Sequence, residues 1–234
     1  MALDRKLDAL LSLSPDIAIV PECAEPERLR RKAPGHACTG AVWAGDNPNK
    51  GLAVFPGEGT ELVRHGLHDP VHKVFLPLEV RRPASFNLLA VWSFNDRGLK
   101  ARADGRGAFL RALEAYAPFC RERPLIVAGD FNNNVQWDRP NGPNNHASIV
   151  TALAGHGLVS AYHEARGVAF GAETEATHYW RDRRRDGPRY HIDYVFLPRS
   201  WMNRVRQVSV GGFEEWCGNG LSDHVPVVVD IDLP

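Results

Sequence analysis

The sequence predicts a mixed α/β fold built on packed β-sheets, and three observations point to it. Short apolar runs of strand length recur along the chain, separated by turn-forming residues, the pattern of sheet packed on sheet. Residues 104–120 carry a helical stripe, with Phe109, Leu110, Leu113, Tyr116 and Ala117 on one face. Residues 225–231 are almost continuously apolar, as in a central strand.

Taken in order, Leu3, Leu7, Leu10 and Leu11 share a helical face, and Ser14-Pro15 ends that helix. Ile17-Ala18-Ile19-Val20 reads as a buried strand closed by Pro21, with Glu22 next. Alone, Glu22 reads as a solvated loop carboxylate. Arg28, Arg30, Arg31 and Lys32 form a cluster of the usual solvated kind. Strands at 41–44 and 51–55 flank the turn Asp46-Asn47-Pro48-Asn49, and residues 57–59 are a loop. Strands at 74–80 and 86–93 are separated by Arg81-Arg82-Pro83. Pro118 lies near the end of the central helix, and strand 125–128 follows. Helix 146–154 turns Ile149, Val150 and Leu153 inward and stops at Gly155 and Gly157. Residues 158–161 are a short strand or turn, and 164–176 a long aperiodic loop. Residues 177–180 have strand character, followed by a basic turn with Arg181, Arg183, Arg184 and Arg185. Strands at 191–197, 205–210 and 225–231 complete the chain, and with no repeat or boundary residues 1–234 are expected to form one domain.

Composition narrows the function classes. Basic and acidic residues balance at 28 each, so there is no broad basic surface of a dedicated nucleic-acid binder, although a local patch is compatible with this. Cys23, Cys38, Cys120 and Cys217 lack zinc-knuckle or redox spacing and read as reduced thiols of a cytoplasmic protein. No stretch is long enough to span a membrane, the amino terminus lacks a signal-peptide run, and no protein partner is expected.

The chemistry gathers at strand ends. After Leu125-Ile126-Val127-Ala128, Gly129 breaks the run and Asp130 and Asn132 follow two residues apart. On an extended backbone these two point the same way while Phe131 turns into the core. A carboxylate beside an amide can orient a water and hold an anion. A plain polar turn explains the pair equally well in isolation. Glu22, Asp193 and Asp223 also sit at or inside strand ends. Carboxylates gathered in one fold are explained by a hard divalent cation, and magnesium takes oxygen ligands of this kind. Asp193 and Asp223-His224 suggest a second device, a carboxylate that fixes an imidazole. On its own, His224 is more simply a structural histidine.

In this order, Glu22 after Pro15-Asp16-Ile17-Ala18-Ile19-Val20, Gly129-Asp130-Phe131-Asn132, Thr177-His178-Tyr179-Trp180, His191-Ile192-Asp193-Tyr194 and Ser222-Asp223-His224-Val225-Pro226 resemble the endonuclease/exonuclease/phosphatase superfamily, the DNase-I-like fold. The likeness spans nearly the whole chain. It implies a four-layer α/β sandwich, two packed mixed β-sheets flanked by helices, and a phosphoester hydrolase dependent on Mg2+, with Mn2+ as a substitute. It implies Glu22 as metal ligand, with Asp223 assisting. Asp130 would orient or deprotonate the attacking water, Asn132 would hold the phosphate, and His224, oriented by Asp193, would bind the phosphoryl oxygen. The substrate is expected to be a phosphate ester, with nucleic acid the first choice. A lipid, inositol or metabolite phosphate is the alternative, and a catalytically impaired binding protein the third.

The chain departs from the pattern at two places. Such proteins begin with a strand ending in a catalytic Asn, whereas here Met1 already lies in the helix that follows it. The expectation is an amino-terminally shortened chain whose Met1 is internal to a longer reading frame; an in-frame stop codon just upstream would refute it. Ala90-Val91-Trp92-Ser93-Phe94-Asn95 also lacks the histidine common on that strand. Leaving-group protonation then comes from elsewhere, with water on Asn95 as one source. For His146 and His163 a structural role is the better reading.

Overall fold

The computed structural model describes residues 3, 6–34, 38–72, 74–93, 107–180 and 184–234. The expectations placed on Asn95, Arg181, Arg183 and residues 104–106 lie outside the described residues.

The amino-terminal half runs α1 (Leu7–Leu11), β1 (Ile17–Cys23), α2 (Pro26–Lys32), β2 (Val42–Asn47), β3 (Lys50–Pro56), β4 (Glu61–Arg64), β5 (Phe75–Arg82), β6 (Phe86–Trp92), α3 (Ala108–Ala115) and α4 (Ala117–Glu122). Then come β7 (Leu125–Asp130), α5 (His146–Gly155), β8 (Leu158–Ser160), α6 (Ala161–Arg166), β9 (His178–Tyr179), β10 (Arg189–Tyr190), β11 (Asp193–Pro198), β12 (Val205–Val210) and β13 (Val227–Ile231).

One layer is a six-stranded mixed sheet in the order β4-β5-β6-β7-β11-β8, in which β6 and β7 are parallel. Its centre is apolar on both faces: every residue of β6 is buried, as fits a strand covered on both sides. The facing layer is in two pieces, a three-stranded sheet β1-β3-β2 and a two-stranded sheet β12-β13. β1 and β3 pack on β6 and β7, while β13 packs on β11. Helices α3, α4 and α5 cover the outer face of the large sheet through Phe109, Leu113, Phe119, Ile149 and Leu153, all buried in its core. This is the expected sandwich of sheets and helices, with its second sheet divided.

Several elements differ from the sequence reading for local reasons. Pro21 does not close β1; the strand continues to Cys23 through a register shift after Val20, where the missing proline N–H breaks the ladder. The central helix is two helices, because Pro118 sits in the first turn of α4 and forces a new start. Residues 161–166, partly read as loop, form α6, which ends at the left-handed Gly167. The apolar run at 225–231 is not central: β13 pairs with β12 alone among the described strands. The cysteines are all buried and in no disulfide, and no described helix is long and apolar enough to cross a membrane.

Behind the loop after β7 lies a buried aromatic cluster. His146 is fully buried, with rings of Tyr194, Phe170 and Phe131 at 4.8, 5.4 and 6.4 Å. Neither of its ring nitrogens has a hydrogen-bond partner among the described residues. Burial pulls its pKa down to about 4, against the opposing pull of Glu173. The folded chain therefore keeps His146 neutral while the unfolded chain takes up a proton below its ordinary value of 6.5. Stability from this group is intact above pH 6.5 and lost as pH falls toward 4. His146→Phe is expected to remove that loss, raising stability at pH 5 by on the order of 2 kcal/mol relative to the parent, with a smaller gain at pH 7.5. Urea unfolding at the two pH values checks it, and an equal change at both would contradict it.

Candidate functional site

Asp130 ends β7 and Asp193 begins β11, and the two are directly paired across the sheet. Asp130 is 4% exposed. Its two carboxylate oxygens accept from the backbone N–H and the side-chain Nδ2 of Asn132, both at 2.7 Å. Asn132 Nδ2 also donates to the Ser93 carbonyl at 2.9 Å, at the end of β6. Asp130 and Asn132 thus share a side as expected, but not by strand alternation. Asn132 has φ +49, a left-handed conformation that asparagine tolerates, and the turn folds its amide back onto Asp130. Phe131 enters the core beside Phe109 and Tyr194.

A polar network holds that loop from below. Buried Asn134 donates to the His191 carbonyl at 3.0 Å and to Tyr194 Oη at 3.3 Å. Glu173 accepts from Asn134 at 3.3 Å and pairs with His163 at 3.1 Å. His163 also shares a hydrogen bond with Ser160, and it is buried, as is His146.

His224 lies just before β13, with its Nδ1 2.9 Å from Asp193 Oδ2. Two residues of β9 clamp this segment: the Tyr179 N–H donates to the Asp223 carbonyl at 2.7 Å, and residues 178 and 224 form a β-bridge. Thr177 Oγ1, fully buried, accepts from the backbone N–H of Ile192 and of Asp193, which fixes where β11 starts. The His224 side chain remains 30% exposed, so the imidazole is held on one side and open to the groove on the other.

Glu22 reaches the same groove from the bulged end of β1, where its φ is +56. Two of the described non-glycine residues with positive φ, Glu22 and Asn132, therefore sit at this site, where strain tends to gather. Glu22 pairs with Lys50 at 2.9 Å. Asp223 lines the groove as well, so all the candidate residues face one cavity.

Burial and the neighbouring Asp193 push the Asp130 carboxyl up to about 8. Burial opposes charge on His224, but Asp193, Asp130 and Asp223 outweigh it and raise the imidazole to about 9. These directions describe a site with more negative than positive charge. Asp130, Asp193 and His224 present ligand atoms within 4.8 Å of one another, and Glu22 and Asp223 add oxygens around the same groove. An oxygen-rich donor set with unbalanced charge fits a hard divalent cation. The tightest group is not the Glu22–Asp223 pair expected as ligands; Glu22 is paired with Lys50.

A family model described as the endonuclease/exonuclease/phosphatase family matches residues 10–224. The chain belongs to the endonuclease/exonuclease/phosphatase family. The activities in that name share hydrolysis of phosphoester bonds. Among curated proteins, none matches the chain in sequence. Solved structures resemble it throughout. A 3′-5′ exonuclease from Neisseria meningitidis aligns with TM-score 0.66 and 16% identity, over 99% of this chain and 96% of that one. A 3′ phosphatase from Neisseria bound to product DNA hairpin gives TM-score 0.64 and 16% identity over the same shares. The endonuclease domain of TRAS1, a telomere-specific non-LTR retrotransposon, gives 0.61 and 15%, over 99% and 92%. These likenesses show the fold.

Within this endonuclease/exonuclease/phosphatase domain, the sequence reading missed His178. Its ring lies 4.5 Å from that of His224, and its Nδ1 is buried without a hydrogen-bond partner among the described residues. Burial and the charge on His224 lower its pKa to about 4. Its place just before the Ile-Asp-Tyr stretch was the only signal available. From His178 an aromatic strip leads outward: Tyr190 at 6.3 Å, Trp180 at 5.9 Å, and Trp137 4.7 Å from Tyr190. Trp180 is 44% exposed.

Proposed function

We propose that this chain is a divalent-metal-dependent phosphodiesterase acting on nucleic acid. The observation that supports it most is that two hydrogen-bonded pairs from separate strand ends, Asp130–Asn132 and Asp193–His224, line one groove, with ligand atoms of Asp130, Asp193 and His224 within 4.8 Å of one another. Glu22 and Asp223 would hold the cation, Mg2+ or in its place Mn2+. When bound, it supplies charge neutralisation for an anionic ester.

This chain's own residues do the rest. Asp130, with both oxygens fixed by Asn132, orients an attacking water and takes its proton. Both N–H groups of the Asn132 amide are engaged, one by Asp130 Oδ2 and one by the Ser93 carbonyl, so Asn132 holds a phosphate oxygen by giving up one of these two partners. Asp193 fixes His224 through Nδ1 and supports its positive charge, leaving the other ring edge for a phosphoryl oxygen as charge builds there.

The preference for nucleic acid draws on the aromatic strip beside the site, whose outer ring, Trp180, is exposed and suits base stacking, and on Arg184 and Arg185, which are exposed although paired with Asp186 and Glu214. The related Neisseria phosphatase was captured with DNA. Hydrolysis of single- and double-stranded DNA, inositol phosphates and nucleotide esters, each with magnesium and with chelator, tests the reading. DNA hydrolysis is expected to require the metal and to fall steeply between 50 and 200 mM salt, roughly tenfold or more, because polymer binding releases counterions. Metal-dependent cleavage of the small esters alone, with little salt effect, would move the substrate class to small phosphates.

A further inference from the structure

The loop that follows α6, residues 167–176, buries a charge that the chemistry above does not use. Glu173 in this loop has a side chain only 6% exposed. Burial opposes its charge, but His163, the backbone N–H groups of Gly171 and Glu173, and Asn134 outweigh it and hold the carboxyl down to about 2. Glu173 is therefore an anion inside the protein. His163 Nε2 lies 3.1 Å from it; the same ring shares a hydrogen bond with Ser160 Oγ at 2.8 Å and stacks on Phe170 at 3.7 Å. Taking a carboxylate and an imidazole out of water is expensive, and such a pair seldom stabilises a fold more than apolar side chains of the same volume. A charge fixed in a medium of low dielectric instead orients the polar groups bonded to it.

The polar group here is Asn134, 1% exposed. Its Nδ2 has two N–H groups and three acceptors: Glu173 Oε1 at 3.3 Å, the His191 carbonyl at 3.0 Å and Tyr194 Oη at 3.3 Å. Its Oδ1 accepts from the Gln136 N–H at 3.0 Å. An anion on the Nδ2 side tells the two ends of the amide apart and keeps it from turning over. Tyr194 Oη in turn lies 2.8 Å from the His191 carbonyl and 3.2 Å from that of Asn133. These two side chains tie residues 133 and 134 to residue 191. One step closer to the site, the Phe131 N–H donates to the Ile192 carbonyl at 2.9 Å. On one side of this seam stand Asp130 and Asn132; on the other stands Asp193, which holds His224. A misplacement of about 1 Å between reacting groups costs on the order of a hundredfold in rate.

We propose that Glu173 is a positioning residue of the site: acting through Asn134 and Tyr194, its buried pair with His163 holds residues 131–134 in one register on the start of β11, and so sets Asp130 and Asn132 against Asp193 and His224. The effect on rate rests on the hydrolase reading above; the effect on the loop does not.

Two substitutions at Glu173 and one control test it. Glu173→Gln keeps the shape and an acceptor but removes the charge. Glu173→Met keeps the volume and removes the acceptor. Leu153→Ala opens a cavity in the core at a fully buried apolar side chain of α5. The first readout is amide hydrogen exchange at Phe131 and Asn132, whose N–H groups bond to the Ile192 carbonyl and to Asp130, relative to Trp92, whose N–H bonds to the Val74 carbonyl. This ratio is expected to rise about tenfold or more in Glu173→Met and about threefold in Glu173→Gln, and to keep the parent value in Leu153→Ala. The second readout is steady-state DNA hydrolysis under saturating magnesium. In Glu173→Met kcat should fall about tenfold or more with KM within about twofold, because Glu173 touches no substrate; Leu153→Ala, assayed well below its melting temperature, should keep the parent kcat. Should Glu173→Met not fold, Glu173→Gln decides alone. A parental exchange ratio in Glu173→Gln, or an equal rise in Leu153→Ala, would overturn the proposal, as would faster exchange with kcat unchanged. A parent protein that hydrolyses no phosphoester with magnesium would sink the substrate reading and the catalytic half of this one, while the exchange ratios would still judge the loop.

Discussion

Replacing His224 by alanine is expected to lower phosphoester hydrolysis about a hundredfold or more while leaving the fold intact. The imidazole is held by one hydrogen bond to Asp193 and is open on its other edge, so its removal takes away a charged donor aimed at the reacting phosphate without opening a core cavity. Asn132→Ala should lose a comparable factor by another route. It removes the side-chain partner of one Asp130 oxygen, leaving that buried carboxylate less well fixed, and with it the amide that would turn from Asp130 or Ser93 to the phosphate. Both variants should show unchanged far-ultraviolet circular dichroism. Steady-state rates under saturating magnesium check the pair, and an undiminished rate in either variant would remove that residue from the mechanism.

Gly129→Ala is expected to destabilise the protein by about 4 kcal/mol or more, the largest stability effect anticipated for a single methyl group. Gly129 has φ +136, and a Cβ there would stand 2.0 Å from the Val91 carbonyl oxygen on the paired strand β6. Neither strand can retreat, because both are central to the large sheet. The glycine lets β7 press against β6 and still turn Asp130 into the groove. Urea unfolding measures this, and a loss below about 1 kcal/mol would show that the ladder yields more easily than its geometry implies.

Much of the site was legible because its parts are strand ends. A buried run bounded by an acid is visible in the residues alone, ending at Asp130 in β7 and beginning at Asp193 in β11, and the ordered set named Asp130, Asn132, Asp193 and His224 as candidates from sequence alone. The same local reasoning failed where pairing decides structure. Nothing in Ile17–Cys23 announces that Pro21 can sit in a bulge, or that the bulge aims Glu22 into the groove. The apolar run before Asp232 read as central because it is apolar on both sides; β13 borders an apolar groove, and composition cannot tell a neighbouring strand from an empty slot. His178 was passed over because a two-residue strand has no periodicity to place it. Lys50 was invisible as the partner of Glu22, since only the β1–β3 register brings them together.

Paramagnetic broadening by Mn2+, followed by NMR on the isotopically labelled protein, asks most directly whether distant strand ends meet around one cation. Substoichiometric Mn2+ is expected to broaden the side-chain resonances of Glu22, Asn132, Asp223 and His224 together, ahead of any others, with added inorganic phosphate broadened in the same titration and all of it reversed by magnesium. Broadening dispersed over unrelated surface carboxylates, with Asn132 and His224 left sharp, would contradict it.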